Sequence, residues 1–234
     1  YQGKKLEELE SLSTAEKANM LFIVQDPYTS YYDAKVVRDF VALTQKLGFE
    51  PILLPFKPNG KAMHIKGFLT RFSKTAKTQA EFLNRVAKLN VPLVGVDPAI
   101  VLSYRDEYKE ALGDSRGDFH VLTAHEWLTN QLESNALQSA VKNIAKSDHT
   151  FEWHLFPHCT ESTFMPNSPK EWQHIFAQFG QTLKVEKVGC CGMAGVFGHE
   201  VQNQTMSKDI YDVSWGKKLQ GKDPNHCLAT GYSC

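Results

Sequence analysis

Short apolar runs alternate along this chain with longer segments whose apolar positions recur every three or four residues. The run "NMLFIVQ" (19–25) reads as a buried strand, and "DAKVVRDFVALTQKLG" (33–48) as an amphipathic helix closed by Gly48. "EPILLPF" (50–56) reads as a second strand. Residues 62–89 read as helical with a break near "KGF", "VPLVGV" (91–96) as a third strand, and Pro98 opens a further helix through "AIVLSYRDEYKEAL". The second half repeats the scheme. "FEWHLFPH" (151–158) is a strand and "SPKEWQHIFAQFG" (168–180) a helix with Ser168 as N-cap. "QTLKVEKVG" (181–189) is a strand, 199–219 is mostly helical, and "HCLATGYSC" (226–234) supplies a last strand. Strand–helix alternation of this kind predicts parallel sheets covered by helices.

The halves can be laid on each other. An offset of 133 sets "LFIVQDPYTS" (21–30) against "HLFPHCTEST" (154–163), with Asp26 opposite Cys159. The same offset brings Asn59 to Lys61 near the "GCCG" stretch and Ile100 near Cys234. The expectation is an α/β fold of two pseudo-repeated units, each a small, mostly parallel sheet flanked by helices. The first repeat, 1–115, is cysteine-free and degenerate; the second, 116–234, carries the cysteines. Asp26 reads either as a replacement for a ligand or, preferably, as a polar loop cap. "HIKGF" (64–68) reads as a surface turn, with contact to a partner domain as the alternative. Trp153, Trp172 and Trp215 read as core or domain-interface residues.

Composition narrows the picture. The 234 residues balance 26 Lys and Arg against 26 Asp and Glu. A net charge of zero gives no reason to propose nucleic acid or an anionic membrane as partner. No run approaches the ~20 apolar residues of a membrane-spanning helix. The start, "YQGKKLEELESL", has neither an initiator Met nor the apolar centre of a signal peptide, so a segment of something longer is expected.

Cysteine placement is the strongest chemical signal. Cys159, Cys190, Cys191, Cys227 and Cys234 all lie in the last third. An odd count argues against a secreted disulfide framework and fits a reducing cytosol. The positions fall at or just beyond the carboxyl ends of predicted strands, the edge where open parallel sheets bind ligands. Thiolates select iron–sulfur clusters, zinc or copper(I), and a four-iron, four-sulfur cluster commonly takes four cysteines. Gly189, Gly192 and Gly195 allow close backbone approach to the sulfurs. A helix expected just after Cys191 would aim its N–H groups at them. Zinc is the rival, with His158, His199 or His226 completing the ligand set. Its usual paired Cys-x-x-Cys spacing is missing. Burial as a small apolar residue is the plain alternative for Cys227.

The stretch "GCCGMAGVFGHE" (189–200), with "PHCTES" (157–162) before it and "ATGYSC" (229–234) after it, resembles the cysteine-rich CCG domain. That domain occurs in heterodisulfide reductase, in the iron–sulfur component of glycolate oxidase, and at the C-terminus of large FAD-linked oxidases similar to D-lactate and D-2-hydroxyglutarate dehydrogenases. The resemblance covers nearly the whole chain, and its specific part is the CCG stretch. It implies that Cys159, Cys190, Cys191 and Cys234 hold a cluster. It also implies FAD and a ferredoxin-like domain elsewhere in the same polypeptide. The chain departs from the fuller pattern, which ends in Cys-x-x-Cys, by having Gly at 231. Cys227 stands four residues too early to be the missing cysteine's simple equivalent; it and His158 are kept as further candidate ligands on their own account.

The function expected is electron transfer, from the flavin of a 2-hydroxyacid dehydrogenase through the cluster to a quinone-type acceptor. Such an acceptor would bring a cytoplasmic protein to the periphery of the inner membrane. No flavin fingerprint is present, so the segment alone is expected to be inactive. Two alternatives stand beside this: a docking module with vestigial or zinc-binding cysteines, and thiol–disulfide chemistry at Cys190 or Cys191.

Overall fold

The computed structural model describes residues 6–133, 137–144 and 151–234. It is α/β, with two small parallel sheets flanked by helices, and divides into two compact units, 1–127 and 128–234.

In the first unit β1 (Met20–Val24), β2 (Glu50–Leu53), β3 (Leu93–Gly95) and β4 (Val121–Thr123) form a parallel sheet in the order β2-β1-β3-β4. All five residues of β1 are buried, as a central strand covered on both faces requires. β4 escapes a reading of the sequence: it has three residues and no alternation to follow. It is fixed from outside, by the Arg105 guanidinium donating to the Val121 carbonyl (Nη2, 2.7 Å) and to both Glu126 oxygens (3.0 and 2.5 Å).

The expected helix at 33–48 appears as Ala34–Lys46. The helical stretch 62–89 is Lys61–Ile65 and Leu69–Ala87, separated by the "KGF" turn, where Gly67 takes a positive φ of 76°. The helix after Pro98 breaks at Asp106 into Pro98–Arg105 and Glu107–Leu112. A short helix, Pro27–Tyr31, follows β1 directly.

In the second unit β5 (Glu152–Phe156), β6 (Thr182–Val185) and β7 (Cys227–Ala229) form a parallel sheet in the order β6-β5-β7. The helix at 168–180 is Ser168–Gln178, but Ser168 is not its N-cap. That position is Asn167, without a side-chain cap bond, because the Ser168 hydroxyl is turned to the Glu161 carboxyl.

The two sheets share one pairing pattern. Met20 pairs Glu50 as Glu152 pairs Thr182, and Phe22 pairs Leu93 as His154 pairs Cys227. This register moves the sequence alignment by one residue. Asp26 caps the helix after β1 and His158 caps the helix after β5, so Asp26 answers to His158, and Pro27 to Cys159. Counted from Glu50 and Thr182, Asn59 answers to Cys191 and Gly60 to Gly192. Both glycines take positive φ, 82° and 89°. Counted from Leu93 and Cys227, Asp97 answers to Gly231 and Ile100 to Cys234.

Asp26 is thus a loop cap. Its Oδ1 accepts from the Tyr28 and Thr29 amides (2.8 and 2.9 Å), and its Oδ2 from the Thr29 hydroxyl. Burial, and then the neighbouring Asp97 carboxylate, raise its pKa from 3.8 to about 6. The folded state therefore binds the proton more tightly than the unfolded chain. The stabilisation is complete below pH ~4 and is lost as pH rises through about 6, a swing of about 3 kcal/mol. Asp26→Asn keeps the Oδ1 acceptor and removes the charge. Denaturant unfolding of this variant should show higher stability at pH 7 than the parent, and a loss of the pH dependence between 4 and 6.

Candidate functional site

The cysteines reach the carboxyl edge of the β6-β5-β7 sheet on three separate segments. Cys159 is the first residue of the helix Cys159–Phe164, directly after β5. Cys190 and Cys191 lie in the loop after β6. Cys234 lies in the turn after β7, bonded back to the Gly231 carbonyl (3.1 Å).

Each arm is tied down. Gly189 is held at both backbone groups: its N–H donates to Ser214 Oγ (2.7 Å) and its carbonyl accepts from Trp215 Nε1 (3.0 Å). Trp215 packs on Phe156 at the end of β5, with ring centroids 5.0 Å apart, and Cys191 completes that buried cluster. Cys234 and Met193 pack against it. The Cys159 arm and the Cys234 arm are joined by Glu161, which is wholly buried. One carboxyl oxygen accepts from Trp172 Nε1 (3.0 Å) and from the Ser168 hydroxyl, and the other from the Thr230 hydroxyl. Thr230 Oγ1 in turn accepts from the His158 amide (2.8 Å).

The thiols sense one another. The Cys191 pKa falls from 9.0 to about 6, chiefly through a hydrogen bond with Cys234; the Met193, Cys191 and Ala194 amides assist against the cost of burial. Burial raises the Cys159 pKa, and the neighbouring Cys190 and Cys191 sulfurs add to the rise. Cys190 Sγ accepts from the Gly192 amide (3.3 Å). The expected helix start after Cys191 is not there: a turn and two short 3-10 segments intervene, and the helix begins at Gln204. Gly192, Ala194 and Gly195 all take positive φ, which no helix accepts. The N–H donors come from this folded-back loop instead, an anion-binding nest.

The remaining candidates stand apart. The Cys227 thiol donates to the Asp223 carbonyl (3.4 Å) and faces the charges of Lys222, Asp223 and Glu186. His158 uses both ring nitrogens: Nδ1 accepts from the Thr160 amide (3.2 Å) and Nε2 lies 3.4 Å from Ser233 Oγ. His226 lies against the rings of Phe151 and Trp153, and His199 is exposed. A Cβ at Gly231 would stand 2.5 Å from the His158 ring, so the imidazole fills the space that a side chain at 231 would need. Among the described residues, no group of three or more His, Cys, Asp or Glu side chains is placed to hold a metal ion.

Sequence reasoning misses Glu161, Ser214 and Thr230. Glu161 and Thr230 lie inside the quoted cysteine stretches and Ser214 outside them, but their roles follow only from where the chain returns. Trp215 reads as a core or domain-interface residue from the sequence; its role in holding Gly189 is visible only in the fold.

No family model matches the chain. Its relatives among known proteins are 2-hydroxyacid dehydrogenases several times its length. It is 81% identical over 234 residues to the D-2-hydroxyglutarate dehydrogenase of Haemophilus influenzae, matching 100% of this chain and 23% of that protein. Identity to the enzymes of the same name is 57% over 229 residues in Escherichia coli and 39% over 226 residues in Pseudomonas putida. In these the chain spans 22% and 21% of the relative's length.

Gly192 should be the least replaceable residue of the loop. A Cβ there would stand 2.1 Å from the Ser207 carbonyl oxygen, on a backbone at φ +89°. Gly192→Ala should cost about 3 kcal/mol in a denaturant titration and release the Cys190–Cys191 segment. Gly189→Ala, with nothing nearer than 3.7 Å, should be close to neutral.

Proposed function

We propose that this chain is the electron-transfer module, in the C-terminal region, of an FAD-linked D-2-hydroxyglutarate dehydrogenase-like protein. Cys159, Cys190, Cys191 and Cys234 would hold one iron–sulfur cluster. The observation that carries the reading is the mutual influence of thiols from three distant segments at one sheet edge. The donor set fits: four soft sulfur ligands, one already acidified, in a loop whose amides point at sulfur. A single zinc ion fits less well, since the paired Cys-x-x-Cys spacing of structural zinc sites is missing and His158 and His226 are engaged with neighbours.

When bound, such a cluster supplies one-electron transfer, here between a flavin elsewhere in the polypeptide and a quinone-type acceptor. The chain's own residues do the rest. Glu161 and Thr230 hold the first and last ligand arms together. Ser214 and Trp215 fix the vicinal pair, and the Met193 and Ala194 amides offset negative charge on sulfur. Phe156 and Trp215 cover the inner side and exclude water. His158 fills the place left by Gly231, so the ligand set closes on Cys234.

The test uses the full-length polypeptide, purified without oxygen. Iron, sulfide and a visible thiolate-to-iron band should be present. Ser at 159, 190, 191 or 234 should abolish the band and lower acceptor reduction at least about tenfold, while substrate still reduces the flavin. Cys227→Ser should behave as the parent. Absence of iron and of the band in the parent would sink the reading; unchanged acceptor reduction in the Cys190→Ser and Cys191→Ser variants would favour a docking role.

A further inference from the structure

The first unit lacks cysteines, yet its sheet edge is not an ordinary apolar core. Asp26, Asn59 and Asp97 follow the ends of β1, β2 and β3, three neighbouring parallel strands. By the shared register they stand where His158, Cys191 and Gly231 stand in the other unit. Gln79 and Tyr104 join them from the helices Leu69–Ala87 and Pro98–Arg105. All five are 3% exposed or less.

Three of these groups end in an atom without a hydrogen-bond partner: Asn59 Nδ2, Gln79 Oε1 and Tyr104 Oη. Such atoms are costly to bury dry. They belong together. The Tyr104 hydroxyl is close enough for the Gln79 and Asn59 side chains to favour its ionised form and for the Asp26 carboxylate to oppose it, yet it meets none of them in good hydrogen-bond geometry. Asp26 in turn feels Asp97. Neighbouring acceptors of the cluster already have donors. Asn59 Oδ1 accepts from the Lys61 amide (2.9 Å), the Asn59 carbonyl from Tyr108 Oη (2.6 Å), and Asp97 Oδ1 from the Ile100 amide (3.0 Å).

The open valences define the ligand. Asn59 Nδ2 can only donate, which repels a cation. Gln79 Oε1 can only accept, and the Asp26 carboxyl acts on the Tyr104 hydroxyl, with Asp97 acting on Asp26 in turn, which repels an anion. An apolar ligand would leave all three unmet. Water both donates and accepts, and buried waters typically make about three hydrogen bonds. We infer that the first unit holds a buried water site, bridging Asn59 Nδ2, Gln79 Oε1 and Tyr104 Oη, at the place where the second unit gathers its cysteines. Water and buried polar side chains there keep the sheet edge shaped and satisfied without a metal.

The sign of one substitution tests this. If water bridges Tyr104 Oη, Tyr104→Phe strands that water and weakens the unit. Hydrogen exchange of the β1 and β3 amides, followed by mass spectrometry in the full-length polypeptide, should then quicken about fivefold. If the hydroxyl is buried dry, the same change removes an unmet polar atom, and exchange stays the same or slows; that result overturns the site. A high-resolution crystal structure of the unsubstituted protein provides the second measurement. Water within hydrogen-bond distance of at least two of the three atoms supports the site. Direct pairing of the three side chains with one another, or a metal ion in their midst, overturns it.

Discussion

A single buried carboxyl group, that of Glu161, joins two of the three cysteine-bearing segments. It has no exposed surface, so each of its oxygens must be met inside the protein. The donors that meet them come from three places: the first residue of the helix Ser168–Gln178, that helix's first indole, and the residue that follows β7. Through Thr230 the chain end bearing Cys234 is bound to the helix bearing Cys159. That tie adds to the β5–β7 pairing in holding the Cys159 and Cys234 segments together. Sulfur atoms on independent loops lose ordering entropy when they converge; here much of that ordering is done by folding itself.

What the sequence revealed follows from what repeats in it. The strands β1, β2, β3, β5, β6 and β7 and the long helices were legible because apolar periodicity is a property of single segments. Three-residue β4 was not, because it is made by Arg105 and Glu126, outside the strand itself. The cysteines were legible by type and by their place after strands. Their supports were not: a Glu in "CTES" and a Ser before a Trp look like surface residues until the fold brings partners to them. The helix start expected behind Cys191 failed for a local reason. The small residues there read as permissive, whereas they adopt positive φ and turn the chain back on the sulfur.

The two units show one framework carrying two kinds of side chain at its edge. The same pairing register, the same capped helix after the first strand, and the same positive-φ glycine after the second appear in both. Asp26 and His158 do the same local work, each accepting amide hydrogens at a helix start. The difference lies in the residues placed beside these constants: Asn59 against Cys191, Ile100 against Cys234. The backbone edge is the shared geometry, and the side chains decide whether it offers sulfur or oxygen and nitrogen.

Trp215 gives this arrangement an optical dimension. Its indole is almost fully buried, rests on Phe156 and shares a packed cluster with Cys191, while its N–H grips the loop that carries the vicinal pair. Any group that absorbs near the indole emission and sits on those sulfurs lies within short range of this fluorophore. Under the proposed reading, the protein carries an intrinsic reporter beside the cysteine set, and a cluster on those sulfurs would dim this indole without an added label.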